Sequence, residues 1–66
     1  MYNYNPLWAT MAEKSISTYY LIQQGIDART INNLKHNQSV TVLTIEKLCN
    51  ILDCNGEDIV EIKPDR

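Results

Sequence analysis

With sixty-six residues the chain reads as one small domain, 1–66, and a chain this short buries only about 60% of the surface its unfolded form exposes, so the core must be economical. A net charge of −2 argues, on its face, against a nucleic-acid partner, and no stretch is biased or apolar enough to be disordered or to span a membrane. The start MYNYNPLWATM has no basic region and only spaced apolar residues, so it does not read as a secretion leader, and a cytoplasmic protein is expected.

Asn5 before Pro6 reads as a helix start, and helix one is predicted over Pro6 to Lys14 with Leu7, Trp8, Met11 and Ala12 on one stripe. Ser17 caps helix two, Thr18 to Gln24, which turns Leu21 and Ile22 inward and ends at Gly25, a residue free to adopt the left-handed conformation. Tyr19 stands at its margin and joins Trp8 and Met11 in the expected core. Asp27 caps helix three, Ala28 to about His36, with Ile26, Ile31 and Leu34 as its inward anchors. The run HNQSVT reads as a loop. Thr41 caps helix four, in which Ile45, Leu48, Cys49 and Leu52 recur at i, i+3, i+4, i+7. Asn55 and Asp58 resemble a capping box opening a short fifth helix through Ile59 and Val60, and the last four residues, 63–66, are expected to be loose. The order implies an all-α, compact five-helix bundle with an ordered core of about 4–62.

The stretch GIDARTINNL carries the functional signal. Its apolar anchors leave Asp27, Ala28, Arg29, Thr30, Asn32 and Asn33 on the outward face of a short helix, and amides and guanidinium groups are the side chains that read base edges. Charge is also unevenly spread. From Glu13 to Lys47 the cations Lys14, Arg29, Lys35 and Lys47 outnumber Glu13, Asp27 and Glu46, whereas Asp53, Glu57, Asp58, Glu61 and Asp65 later face only Lys63 and Arg66. Cys49 and Cys54 are five apart at the end of a helical pattern, a separation unsuited to a bridge, so they read as free thiols. With His36 the only other soft ligand, neither a metal nor a cofactor is expected. Glu57, Asp58 and Glu61 read as a solvated face, and with no nucleophile and base pair or phosphate loop the chain is not expected to be an enzyme.

Three blocks, STYYLIQQGIDARTINNLK, TVLTIEKLCNILDC and NGEDIVEI, resemble the Cro and phage-repressor type of helix-turn-helix, the broad Xre-like family of DNA-binding regulators. The resemblance covers about Tyr4 to Ile62 and implies the lambda-repressor-like fold, with the helix-turn-helix at helices two and three. Carried over by position, it implies base contacts from Ala28, Arg29 and Asn33, with Asn32 and His36 flanking. It also implies backbone contacts from Ser17, Thr18, Asn37, Gln38 and Thr41, with Lys35 on the same side. Two departures stand out: Ile22 replaces a usually small residue, with only Gln23 and Gln24 before Gly25, and the acidic Asp27 occupies a cap that often holds Ser or Thr.

Each candidate also has a plainer reading. Arg29 is either a bidentate reader of guanine or a solvated arginine paired with an acid of its own chain, and the motif around it favours the first. Asn33 reads equally as an adenine reader and as an ordinary surface amide, Asn32 more as the latter. Asp27 reads as a helix cap, Lys35 and Lys47 as solvated charges, His36 as a surface residue. Tyr2, Tyr4 and Tyr20 form either an exposed aromatic patch or, for Tyr4, a closure of the bundle. The expected function is sequence-specific binding of double-stranded DNA as a transcriptional regulator, acting through occupancy as a homodimer on half-sites one helical turn apart. Ile51, Ile59, Val60 and Ile62 are the expected dimer contact, because they exceed what one small core needs. The alternative is a protein-interaction module of antitoxin-like or anti-repressor kind, which net acidity, Asp27 and the tyrosines favour.

Overall fold

Short polar side chains set three of the four helix starts. The computed structural model describes residues 1–64, in which β1 (Tyr2–Asn3), α1 (Asn5–Glu13), α2 (Thr18–Gln23), α3 (Ala28–Lys35) and α4 (Val42–Leu52) are followed by a 3-10 turn (Gly56–Asp58) and β2 (Glu61–Ile62). Ser17 Oγ accepts from Tyr20 N–H at 3.3 Å, Asp27 Oδ1 from Thr30 N–H at 2.8 Å and Thr41 Oγ1 from Thr44 N–H at 3.2 Å, each satisfying one donor of a first turn. The expected Asn5 cap does not form. Asn5 is the first helical residue, its N–H held by Asn3 Oδ1 at 3.0 Å, and Pro6 follows in the first turn, where its missing donor costs nothing.

All four helices end in the same way. A residue of positive φ (Ser15 at 57°, Gly25 at 108°, Asn37 at 55°, Asp53 at 53°) turns the chain back. The following N–H then reaches the carbonyl five residues earlier: Ile16 to Met11 at 2.9 Å, Ile26 to Leu21 at 3.0 Å, Gln38 to Asn33 at 2.8 Å and Cys54 to Cys49 at 3.0 Å. Such a closure brings the first and last side chains of the turn together. In the first two it packs Met11 and Leu21 near Ile16 and Ile26, anchoring the core. In the fourth it brings Cys54 back beside Cys49, and both cysteines are free, as expected.

The core is Tyr4, Leu7, Met11, Leu21, Ile26, Ile31, Leu34, Leu48, Leu52 and Ile59, with Trp8, Ile45 and Cys49 among the half-buried residues packed against it. Tyr19 is 67% and Ile22 44% exposed, against expectation. Helix α2 has only six residues and commits Leu21 alone to the interior, so its neighbours on both sides face away. Ile22 therefore does not wedge the motif helices apart.

The fifth helix is a single 3-10 turn. Asp58 carboxylate accepts from Asn55 N–H at 3.2 Å and Thr10 Oγ1 donates to Asp58 carbonyl at 3.0 Å, fastening the turn to α1. The chain then leaves as a strand rather than as a helix, because Ile59 is drawn fully into the core and Glu61 and Ile62 pair with the N-terminus. β1 and β2 form an antiparallel two-stranded sheet with Tyr2 opposite Ile62 and Asn3 opposite Glu61. The all-α core thus carries a small β clasp. Lys63, expected to be loose, exchanges backbone hydrogen bonds with Met1 at 2.9 and 3.3 Å. Residues 65 and 66, the remainder of that expectation, lie outside the described residues.

The expected dimer residues separate. Ile59 is fully buried, and Ile51 and Val60 are half-buried against the core, so these three belong chiefly to the monomer's own packing. Ile62, 76% exposed, alone of the four is open. No helix among the described residues is long and apolar enough to cross a membrane.

Candidate nucleic-acid interface

Helix α3 is held by its inner face and left open on its outer one. Ile31 and Leu34 are buried, whereas Ala28, Arg29, Asn32, Lys35 and His36 are exposed and Asn33 is half-buried. Positions 29, 32, 33 and 36 follow the i, i+3, i+4, i+7 spacing of one helical face, so they form a single ridge opposite the buried side. The Arg29 guanidinium has no hydrogen bond or ion pair among the described residues and interacts with the Asp27 carboxylate only through its charge. Its plainer reading, an arginine locked onto an acid of its own chain, is therefore absent from the described residues.

Asp27 is a cap, as expected. Hydrogen bonds from Thr30, from its side chain first and then its backbone N–H, hold the carboxyl below the usual range, aided by the charges of Arg29 and Lys47. The charge of Asp27 is thus turned toward its own helix start, with two cations nearby. Lys47, read from sequence as a solvated charge, is brought by α4 to the side of the molecule where α3 begins.

The residues around α3 carry structural duties that limit what they can offer a ligand. His36 Nδ1 lies 2.9 Å from Asn32 carbonyl, so the ring closes its own helix and leaves Nε2 outward. Asn37 Oδ1 accepts from Tyr4 N–H at 3.2 Å, and Gln38 carbonyl accepts from Tyr4 hydroxyl at 2.8 Å. The loop after α3 is therefore fastened to the start of α1. Tyr4, only 2% exposed, closes the bundle rather than joining an aromatic patch, and burial followed by the neighbouring Tyr2 raises its pKa. Tyr2 meets it edge-on, with ring centroids 5.8 Å apart. The sequence offered Tyr4 as a closure of the bundle but not as the residue that positions this loop, because nothing local marks a tyrosine as the partner of residues more than thirty positions away.

At the other two helix starts the hydroxyls are exposed or half-exposed and keep donor capacity. Ser17 Oγ accepts within the chain, which leaves its own O–H free to donate outward. Thr41 and Thr44 hydroxyls share one hydrogen bond of 3.0 Å. A ridge with a free guanidinium and two amides, flanked by hydroxyl-capped helix starts, is the arrangement of a helix-turn-helix reader.

The sequence matches the Cro/C1-type HTH DNA-binding domain over residues 6–65. The chain belongs to that family. It is a family of DNA-binding domains rather than of enzymes. The fold is also similar to the crystal structure of the transcriptional regulator VanUg, with a TM-score of 0.87 and 26% identity over 97% of this chain and 87% of that one. No curated protein matches the chain.

Proposed function

We propose that this Cro/C1-type domain acts as a sequence-specific transcriptional regulator in the cytoplasm, laying α3 in the major groove of double-stranded DNA. Arg29 reads a guanine through O6 and N7, Asn33 an adjacent base through its amide, and Ala28 and Asn32 line the same ridge. Ser17, Thr18, Lys35, His36, Asn37, Gln38 and Thr41 border that ridge and meet the phosphates, with Tyr4 holding the loop that carries two of them. The observation that supports this most is the unengaged Arg29 guanidinium on a helix whose opposite face is locked into the core. Similarity to VanUg, described as a transcriptional regulator, supports the regulatory role. Two copies acting on half-sites about 34–36 Å apart suit so small a reader, since one α3 spans few base pairs.

Arg29, Lys35 and Lys47 are the cations near α3, so log affinity should fall against log salt with a slope no steeper than about −3 per domain. Selection of duplexes from a random library tests the reading. A recovered pseudo-palindrome, lost with Arg29→Ala plus Asn33→Ala at unchanged melting temperature, supports it. Recovery of no preferred sequence refutes it. A second reading, a protein-interaction module of antitoxin-like or anti-repressor kind, is favoured by the apolar surface of α2 and α4: Tyr19, Ile22, Val42 and Leu43 are all exposed. Under that reading the double substitution leaves partner binding intact and no duplex is selected.

A further inference from the structure

One hydrogen bond decides what His36 can offer a ligand. Its Nδ1 lies 2.9 Å from the Asn32 carbonyl oxygen, and a carbonyl only accepts, so Nδ1 carries a proton in that contact. A neutral imidazole has a single N–H. Held in this way, the neutral ring presents Nε2 outward as a bare lone pair, which cannot donate to a phosphate oxygen and is repelled by one. Only the imidazolium, protonated at both nitrogens, has an Nε2–H to donate and a charge to strengthen the bond.

We propose that His36 contacts the DNA backbone only as the imidazolium, so that the domain takes up one proton as it binds and grips a duplex more tightly in mild acid than in mild alkali. This deepens the proposed function by naming how that site is regulated, and it rests on the placement of α3 against DNA. His36 is the single histidine of the chain, and histidine is the side chain whose charge ordinarily changes between pH 5 and 8. Asp27, at the other end of α3, has its carboxyl held below the usual range by Thr30 and stays ionised across that window.

The surroundings of the ring leave that charge to the ligand. On α3 the neighbouring cation is Lys35, which is exposed, and the loop of residues 37–41 that follows is uncharged. From the β1 and α1 side the titratable groups at this end are two phenols, which are neutral in this range. The Tyr4 hydroxyl is bonded to Gln38 carbonyl at 2.8 Å, and Tyr2 shares a cleft with Ser39 and Val40. Among the described residues no acid of any element is hydrogen-bonded or ion-paired to His36. A phosphate is thus the first anion the ring meets, and an opposite charge at hydrogen-bond distance favours the charged form. Screened at an exposed position, that preference should reach about tenfold in affinity between about pH 8 and about pH 5.5.

Fluorescence titration of a mixed-sequence duplex with the full chain, across those pH values at fixed ionic strength, tests the proposal without needing a selected site, because phosphate contacts carry no sequence information. Wild-type affinity should rise about tenfold towards the acid end, and the slope of log affinity against log salt should steepen there by about 0.9. His36→Gln, neutral throughout, should bind at every pH as the wild type does at the alkaline end. His36→Lys, cationic throughout, should bind at every pH about as the wild type does at the acid end. Both variants keep the α-amino group, so its titration cancels in the comparison, and melting temperatures at each pH show that they are folded. Nitrogen-15 NMR of the free chain in mild alkali should show the Nδ1–H tautomer. Affinity indifferent to pH, tighter binding in alkali, the same pH dependence in His36→Gln, or an Nε2–H tautomer overturns the proposal. Proton-linked binding of the mixed duplex with no sequence recovered by selection would leave it standing and remove the sequence-specific reading instead.

Discussion

Tyr4→Phe isolates the bond that ties the loop after α3 to the body of the domain. The ring stays, so its packing at 2% exposure and its contact with Tyr2 are kept, and only the 2.8 Å bond from the hydroxyl to Gln38 carbonyl is lost. Gln38 lies at the surface, where water can take over its carbonyl, so the net cost is that of one ordinary hydrogen bond, about 1 kcal/mol. For a domain of this size that lowers the melting temperature by about 4–8 °C. The alkaline limb gives a second readout. Burial raises the Tyr4 pKa above 10.0, so its contribution is complete below the unfolded value and is lost as pH rises through the folded one, a dependence the phenylalanine variant lacks. Urea melts across that range, with binding to the selected duplex, make the assay. Affinity should fall with an unchanged salt slope, because no charge is removed. A loss above about 3 kcal/mol would mean the ring packing was disturbed, and an unchanged stability would refute the tether.

Other substitutions test separate links. Ser15→Gly relieves a left-handed residue at 57° and should raise stability by up to about 1 kcal/mol in thermal melts, whereas Gly25→Ala forces a side chain to 108° and should lower it by at least as much. Ile59→Ala should cost about 2–5 kcal/mol in denaturant melts and leave the association of folded chains unaltered, as befits a core residue. The Asp27 carboxyl is held below its usual pKa, so its support for α3 is present above the unfolded value and disappears as pH falls through the folded one. Asp27→Asn keeps a cap but should remove that part of the acid limb in pH-dependent melts.

What the sequence disclosed was local. Ser17, Asp27 and Thr41 are legible as caps because a cap needs only its own next turn, and Leu21, Ile26, Ile31 and Leu34 because helix periodicity fixes them. The helix ends are legible to within about a residue, but of the four left-handed residues that close them only Gly25 is marked by its type, since Ser15, Asn37 and Asp53 reach the same conformation without announcing it. The clasp was illegible: two-residue strands show no alternation, and their partners sit at opposite ends of the chain. Ile59 and Ile62 look alike as residues, yet the change from 3-10 turn to strand between them buries one and exposes the other. In the site, the ridge of α3 was readable, but the commitments of Asn37, Gln38 and His36 were not, because each depends on a tertiary or capping bond that composition does not encode.

Because Met1 and Lys63 are hydrogen-bonded neighbours, the domain can be cut and rejoined. A short peptide linking residues at the clasp would close the backbone into a ring, and new ends could open in the surface segment around Asn55 without touching α2 or α3. The same adjacency lets the whole helix-turn-helix be inserted as one unit into a surface loop of another protein, entering and leaving at a single point.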